Sequence, residues 1–273
     1  MAICCPFDST SSIVGGVICG GSAYVDVVSD PWDGMVQVLA LNEVSDGSIG
    51  EFFDRTRNHF DGTGGKILVE DEEIDSTLLP TIDEGVFCQP SQHFDGRQLI
   101  WLEQDSLDDG HDFTVSLWAK FETFYKSRTF YSRGFNDGLG NQYVLSLGHS
   151  FLNTLSASVH TLVSSVPTEI LTFGSTTLTQ GVWYHVGLTY GDDTLKLYVN
   201  GVLVGTKALE GDLIALGNES FLASTDNASQ LEGNLQEFKL HPVARSAHWL
   251  KAEYDSFCDY FVEEGSEEPL FYW

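Results

Sequence analysis

Basic residues are scarce. The 273-residue chain carries 13 Lys+Arg against 40 Asp+Glu, a formal net charge of −27. A surface of that sign repels phosphate backbones and anionic lipid, so nucleic acid and charged membrane surfaces are excluded as natural partners. It suits solubility, attraction of cations or a salty medium, and an ordinary solvated acidic face is the plainer reading. Long apolar runs are also lacking, and no stretch approaches the roughly 18 residues of a membrane span. The first 21 residues have no basic segment and glycines break their apolar run, so no secretory signal peptide is expected there. Cysteine is sparse and odd in number: Cys4, Cys5, Cys19, Cys88 and Cys258. That excludes a dense disulfide framework. No CxxC pair or nearby His completes a metal cluster around Cys4, Cys5 and Cys19, so buried thiols are expected. HExxH, GxxxxGK[ST] and GxSxG are absent.

What the chain does have is aromatic and apolar alternation. Hydrophobic residues make up 42% and aromatics 12%, a globular composition whose aromatics fit half-buried pleated surfaces. The run Phe113-Thr-Val-Ser-Leu-Trp-Ala-Lys-Phe121 puts Phe113, Val115, Leu117, Ala119 and Phe121 on one face and Thr114, Ser116, Trp118 and Lys120 on the other. Residues 181–190 and 194–199 read as two further strands, and Asn200-Gly201 follows. Both residues of that pair tolerate positive φ, which predicts a type I′ hairpin. Weaker strands are expected at 36–41, 66–70, 98–102, 128–132, 143–148, 154–160, 169–173, 213–216 and 233–240. One helix is expected from Ser246, its cap, to about Tyr254, held down by Trp249, Leu250 and Phe257. Short strands at this spacing predict an all-β, two-sheet antiparallel sandwich over 36–258. Residues 1–35 read as an irregular N-terminal arm or small docking subdomain, and 259–273 as an acidic, then aromatic, tail ending Pro-Leu-Phe-Tyr-Trp273.

Several motifs resemble the concanavalin A-like, laminin-G-type family, which implies a jelly-roll sandwich. They are Leu41-Asn-Glu-Val-Ser-Asp-Gly-Ser-Ile-Gly-Glu-Phe-Phe-Asp54, the loop Asn58-His-Phe-Asp-Gly-Thr63, Phe94-Asp-Gly96 and Phe113-Thr-Val-Ser-Leu-Trp-Ala-Lys120. Trp183-Tyr-His-Val186, Leu197-Tyr-Val-Asn-Gly201, Leu231-Glu-Gly-Asn-Leu-Gln-Glu237 and Arg245-Ser-Ala-His-Trp249 continue the series. The resemblance covers about 36–256 and is specific for fold. Its members include adhesion modules, sugar binders and structural additions to surface or virion proteins. Asp30-Pro-Trp-Asp-Gly34 also resembles the segment that leads into such sandwiches in prokaryotic and phage proteins.

The resemblance implies a calcium site at Asp54, Asn58 and Asp61, closed by Glu237, because calcium needs six to eight converging oxygens. Gln236 stands where the family often has Asp, and Arg55 and Arg57 oppose a cation. An Asx-rich loop closed by side-chain-to-backbone bonds remains the alternative. Sugar binding needs an exposed aromatic with amides or carboxylates beside it. Phe135, Asn136, Asp137 and Asn141 in one loop, and Phe221, Asp226 and Asn227 around another, are the candidates, with plain polar turns as the alternative. No strand carries the Glu-Xaa-Asp-Xaa-Xaa-Glu layout of sandwich glycosidases. His185, between apolar neighbours, is expected to be structural. The expectation is therefore a non-enzymatic virion surface protein, a capsid decoration or tail-associated one, that presents a lectin-like sandwich and aids attachment to host glycans. It would be homo-oligomeric and would meet other virion proteins through its arm and terminal aromatics. A secreted or cell-surface carbohydrate-binding adhesin is the first alternative, and a glycoside hydrolase of the same fold is a distant second.

Overall fold

A computed structural model describes residues 32, 34–65, 76–86, 89–102, 112–134, 143–163, 166–208, 220–224 and 229–257. All five cysteines, the aromatic tail and the strands expected at 66–70 and 213–216 lie outside these residues. The strands are β1 (Gln37–Leu39), β2 (Gly62–Gly64), β3 (Thr81–Glu84), β4 (Pro90–Asp95), β5 (Ile100–Leu102), β6 (Phe113–Phe121), β7 (Arg128–Gly134) and β8 (Tyr143–His149). They continue with β9 (Thr154–Val163), β10 (Val166–Thr177), β11 (Trp183–Gly191), β12 (Thr194–Val199), β13 (Val202–Ala208), β14 (Ser220–Leu222) and β15 (Glu232–His241), and a single helix α1 (Ala247–Phe257) follows. Among the described residues one sheet has eight strands, in the order β13-β12-β11-β6-β15-β4-β3 with β1 also on β15. The other has seven, in the order β10-β9-β8-β7-β14-β5-β2. The pairs between named strands are antiparallel, so the sandwich read from the sequence is the one observed.

The core lies between the sheets. Phe113, Val115, Leu117, Ala119 and Phe121 of β6 all face it, as the alternation requires, and meet Tyr131, Leu145, Leu147, Ala157 and Val159 from the second sheet. Phe121 stacks on Phe130 at 5.0 Å between centroids, and Phe238 meets Tyr131 at 5.1 Å. Each such ring or Leu side chain contributes about 1.5–3 kcal/mol by leaving water. The Asn200-Gly201 turn is of type I′, with φ of 51° and 74°. A Cβ on Gly201 would come within 2.7 Å of the Lys251 Cα, so glycine is needed there for space as well as for φ.

Strand β15 departs from simple alternation. Gln236 pairs with Trp118, but Lys239 pairs with Ser116, so β15 holds one extra residue, and Glu237 takes a φ of 53° there. The bulge resets the parity of the strand. Leu235 faces the core before it, and Phe238 and Leu240 face the core after it. The same step changes partners: β4 lies along the first half of β15 and β1 along the second.

The outward face of β6 is also buried, and α1 is the reason. Ser246 Oγ accepts from the Trp249 N–H at 3.2 Å, the expected cap. Leu250 drops onto Gly187, where a Cβ would come within 2.9 Å of it. Tyr254 stacks on Trp118 at 5.7 Å. Beneath the helix, Lys239 Nζ donates to Glu253 Oε1 at 2.8 Å and Ser116 Oγ to the same oxygen at 3.1 Å. His185 Nε2 lies 3.2 Å from Glu253 Oε2 without hydrogen-bond alignment, so the lysine bond is the one that holds. Burial alone would raise the Glu253 carboxyl, but Lys239 and His185 outweigh it and hold the group far below the usual carboxylate range. Burial lowers Lys239 in turn, and Glu253 and Glu237 outweigh that and raise it. His185 is therefore structural, as expected. Among the described residues no helix is long and apolar enough to cross a membrane.

Lys239→Met should destabilise the fold by about 3–5 kcal/mol in urea titrations, because it strands a buried carboxylate. Lys239→Met/Glu253→Leu should recover most of that loss. Glu253 is depressed in the folded state, so its contribution is complete above its ordinary 4.5 and lost as pH falls through the folded value. Lys239 is raised, so its contribution is complete below 10.5 and lost as pH rises through the folded value. Glu237, pushed up first by burial, works the opposite way in acid. The acid loss is therefore read as the difference between the wild type and Glu253→Gln.

Candidate functional site

The loop expected to hold calcium closes on itself. Asp54 Oδ1 accepts from the Val38 and Thr56 N–H groups, both at 2.9 Å. Its Oδ2 accepts from Thr56 Oγ1 at 2.6 Å and from the Phe60 N–H at 3.0 Å. Asp61 Oδ1 takes the Asp54 N–H at 2.8 Å. Asn58 spends its amide donor on the Met35 and Val36 carbonyls. Glu237 sits at the bulge, 3.9 Å from Lys239 Nζ and 4.0 Å from Arg55 Nη1. These four residues do not fit a cation: the Asp54 oxygens are filled by protein donors, and two basic groups face Glu237. Among the described residues no group of three His, Cys, Asp or Glu side chains is placed to hold a metal. The bonds around Asp54 are those of the Asx-rich loop weighed as the alternative. Glu51 works in the same way one turn earlier, accepting from Ser45 Oγ at 2.6 Å and from the Asp46, Gly47 and Gly64 N–H groups.

Of the saccharide candidates, Phe221 alone lies among the described residues. Phe135, Asn136, Asp137, Asn141, Asp226 and Asn227 lie outside the described residues. Phe221 is in β14, only 4% exposed, so its ring has no open face for a sugar. It pairs with Trp101 on one side and Ser132 on the other. Ser220 pairs with Arg133 and Leu222 with Tyr131, so the β7 and β14 ends that carry the two candidate loops, Gly134 and Leu222, point opposite ways along the sheet.

A different set of residues converges, on the part of the eight-stranded sheet that α1 leaves open. Strand register places Trp183, Lys120, Asn234, His93 and Thr81 in one row across β11, β6, β15, β4 and β3. Directly opposed residues share a face, so this row looks away from the core. Lys120 Nζ lies 5.4 Å from the Trp183 ring centroid and 3.6 Å from Asp83 Oδ2. Asn234 Nδ2 donates to Asp83 Oδ2 at 3.0 Å and to Ser91 Oγ at 3.1 Å, and His93 Nε2 meets Glu122 Oε1 at 3.1 Å. The Asp83 carboxyl is lowered chiefly by the Asn234 bond.

Two residues before Asn234 on β15, the β6–β7 loop builds a nest around Glu232. Tyr125 Oη donates to Glu232 Oε1 at 2.6 Å, and Thr123 Oγ1 to Oε2 at 2.9 Å. Arg128 pairs with Oε1 as well, and its guanidinium lies 5.5 Å from the Tyr125 ring centroid. Lys126 Nζ is 6.0 Å from the same ring. Burial would raise the Glu232 carboxyl, but the bonds from Tyr125 and Thr123, with Arg128 behind them, lower it, so it stays ionised. Yet Tyr125 as a residue is 64% exposed. The loop is held from behind by Phe124, whose ring meets Phe121 at 5.8 Å and His149 at 5.1 Å. Burial first, and then the nearby Arg128 charge, push the His149 imidazole down to about 4, so it is neutral. Asp95 and Arg97 form an exposed pair beside Glu232, where β4 meets β15. Nothing local in the chain signals this nest: Tyr125 and Arg128 look like an ordinary loop and strand start. Their partner Glu232 is more than 100 residues away.

A family profile described as the concanavalin A-like lectin/glucanases superfamily matches residues 94–251, more than half of the chain. The chain belongs to this superfamily. No curated protein matches it in sequence. Its fold is similar to domain 4 of AbnA, a GH43 extracellular arabinanase from Geobacillus stearothermophilus, solved in complex with arabinotriose. That likeness has a TM-score of 0.57 at 17% identity and covers 80% of this chain and 97% of that one. It is also similar to the binding domain of Paraclostridial Mosquitocidal Protein 1, with a TM-score of 0.58 at 14% identity, covering 82% of this chain and 52% of that one. The receptor-binding domain of botulinum neurotoxin mosaic serotype C/D gives 0.55 at 12%, over 82% and 51%. The chain thus spans about half the length of these toxin binding domains. At such identities the likeness establishes the lectin-like sandwich and nothing finer.

Asp54→Ala should lower stability by about 1–3 kcal/mol, since it leaves buried N–H groups without an acceptor. Thermal melts of the wild type in millimolar calcium and in chelator should coincide. A calcium-dependent rise in Tm that Asp54→Ala removes would restore the metal site.

Proposed function

We propose that this chain is a non-enzymatic binding module that takes a saccharide at the Tyr125–Glu232 nest. The observation that carries the reading is Tyr125, a residue 64% exposed yet fixed by its own hydroxyl on Glu232. A sugar's apolar face stacks on such a ring at little entropic cost, because the ring is already held. Carboxylate, guanidinium and hydroxyl groups stand beside it to exchange hydrogen bonds with sugar hydroxyls. The arabinanase domain solved with arabinotriose and the toxin binding domains support a recognition role for this sandwich.

Catalysis is disfavoured by the state of the carboxylates. A glycosidase needs one carboxyl with a raised pKa across from a second carboxylate. Glu232 is depressed, so it is held as the ionised carboxylate and is no proton donor. Glu237 is raised, but it faces Lys239 and Arg55 at the bulge. Display of the module on a virion surface, where it would aid attachment to host glycans, is the setting proposed from the sequence. A cell-surface adhesin would use the same site. Fractionation of purified particles against cell envelopes separates the two settings.

Glycan arrays and arabino-oligosaccharide titrations should detect binding that Tyr125→Ala weakens by about tenfold or more, with an unchanged melting temperature. No reducing ends should be released. Binding that is indifferent to Tyr125→Ala, or cleavage of the ligand, would overturn the reading.

A further inference from the structure

The acidic charge is not spread evenly along the chain. Between Thr123 and Gly191 there are two acidic residues, Asp137 and Glu169, against 40 in the whole. Lys126, Arg128 and Arg133 lie in the same span. Charge asymmetry of this kind points to a surface kept for contact. The span supplies three loops at the sandwich end where the nest lies: β6–β7, β8–β9 and β10–β11. Strand pairing brings them together, because Arg128 opposes His149, Thr177 opposes Thr154 and Trp183 opposes Lys120. Direct contacts join them as well. The Leu178 N–H donates to the Asn153 carbonyl at 2.7 Å and the Gly181 N–H to the Phe121 carbonyl at 2.8 Å, while the Phe124 ring meets His149. The acids beside this end are answered locally: Glu232 pairs with Arg128, Glu122 meets His93 and Asp95 pairs with Arg97.

The β8–β9 turn is the most apolar of the three. Phe151 and Leu152 fill its two central positions, and the Asn153 N–H closes it on the Ser150 carbonyl at 3.3 Å. Such positions ordinarily go to Gly, Pro, Asn, Asp or Ser. Here they hold two large apolar side chains, 63% and 65% exposed, and Val182 on the neighbouring loop is exposed too. The turn is stiff. The Ser150 N–H donates to the Thr154 carbonyl at 2.8 Å, Ser150 Oγ and Thr154 Oγ1 share a bond of 2.8 Å, and the Leu152 N–H donates to Ser150 Oγ at 3.1 Å. Asn153 completes it with a φ of 59°. Exposed to that extent, Phe151 and Leu152 add little to the core, and their place at a rigid tip suits contact with something outside the molecule.

We propose that this end of the sandwich docks on a bilayer of zwitterionic lipid, with Phe151 and Leu152 entering the boundary between headgroups and acyl chains. A bilayer closes around any apolar tip, so two side chains on a stiff turn are enough for weak attachment. A stable contact with a protein, or with a second copy, takes roughly 20–30 residues a side, far more than these tips offer. The scarcity of carboxylates lets this end approach lipid phosphates. Charge further off than about 8 Å is screened at physiological salt, so the composition of the end itself counts at contact. The net charge of −27 still disfavours anionic lipid. This docking goes beyond the saccharide reading and does not rest on it. It would hold the nest, on the adjoining loop, at headgroup height.

Flotation of the full chain with phosphatidylcholine vesicles tests this. Binding should be half-maximal near about millimolar lipid, weaker than a single acyl anchor gives. About 0.5 M salt should not weaken it, since the contact is apolar. Phe151→Ser/Leu152→Ser should weaken it at least about tenfold at an unchanged melting temperature. Val243→Ser should leave it unchanged, because β15 runs from Glu232 at this end to His241 at the other, and Val243 lies just beyond. No flotation of the wild type at about 10 mM lipid would overturn the proposal. So would binding that salt abolishes, or undiminished binding by the folded double variant. A dimer in sedimentation velocity that the double variant dissolves would overturn it too, and would assign the turn to a second copy. If the double variant does not fold, Phe151→Trp decides: brominated phosphatidylcholine should quench the added fluorescence, and an unquenched tryptophan overturns the proposal.

Discussion

Strand β6 is buried on both faces, and the rest of the molecule is arranged around that fact. Its inward side chains fill the space between the sheets. Its outward ones, Thr114, Ser116 and Trp118, would be an ordinary wet face if nothing covered them, and α1 does. Covering that face puts a carboxylate, Glu253, next to a lysine, Lys239, in a place water does not reach. The pair tolerates burial because each charge answers the other. Its geometry also fixes where the helix lies, since the lysine projects from a strand on one side and the carboxylate from the helix on the other.

That placement divides the outward face of the larger sheet in two. On one side of the helix lies the row running from Trp183 to Thr81 and the nest around Glu232. On the other lies a cleft between β11, β12 and the start of the helix. Two charged side chains near the helix that would be loose on an open surface are made rigid by groups behind them. Glu232 is held by Tyr125, Thr123 and Arg128, and Arg245 by His241 and Trp249. Rigid polar groups beside an aromatic ring lose little entropy on binding, which makes such places suited to ligands as hydrated as sugars.

Much of the fold could be read from the chain. The alternation in 113–121 gave the orientation of the central strand, Asn200-Gly201 gave its hairpin, and Ser246 gave the start of the helix. These signals are local, decided by side-chain parity or by φ preferences of one or two residues. The candidate site was far less legible. Asp54, Asn58 and Asp61 look like cation ligands in a linear chain, but the donors that occupy Asp54 include the backbone of Val38, 16 residues earlier. Phe221 looked like an exposed loop aromatic and is a strand residue. Tyr125 carried no motif, because its partner lies 107 residues away.

The amino-acid order by itself determined a two-layer antiparallel sandwich with a short helix near residue 250, because period-two burial and turn preferences act between near neighbours. Only the tertiary structure decided which polar groups remain available. The bulge at Glu237, the burial of Lys239 against Glu253 and the nest at Glu232 each join segments far apart in the chain. Whether a carboxylate or a guanidinium can meet a ligand depends on whether the folded protein has already filled its hydrogen-bonding edges, and that is a property of its neighbours in space.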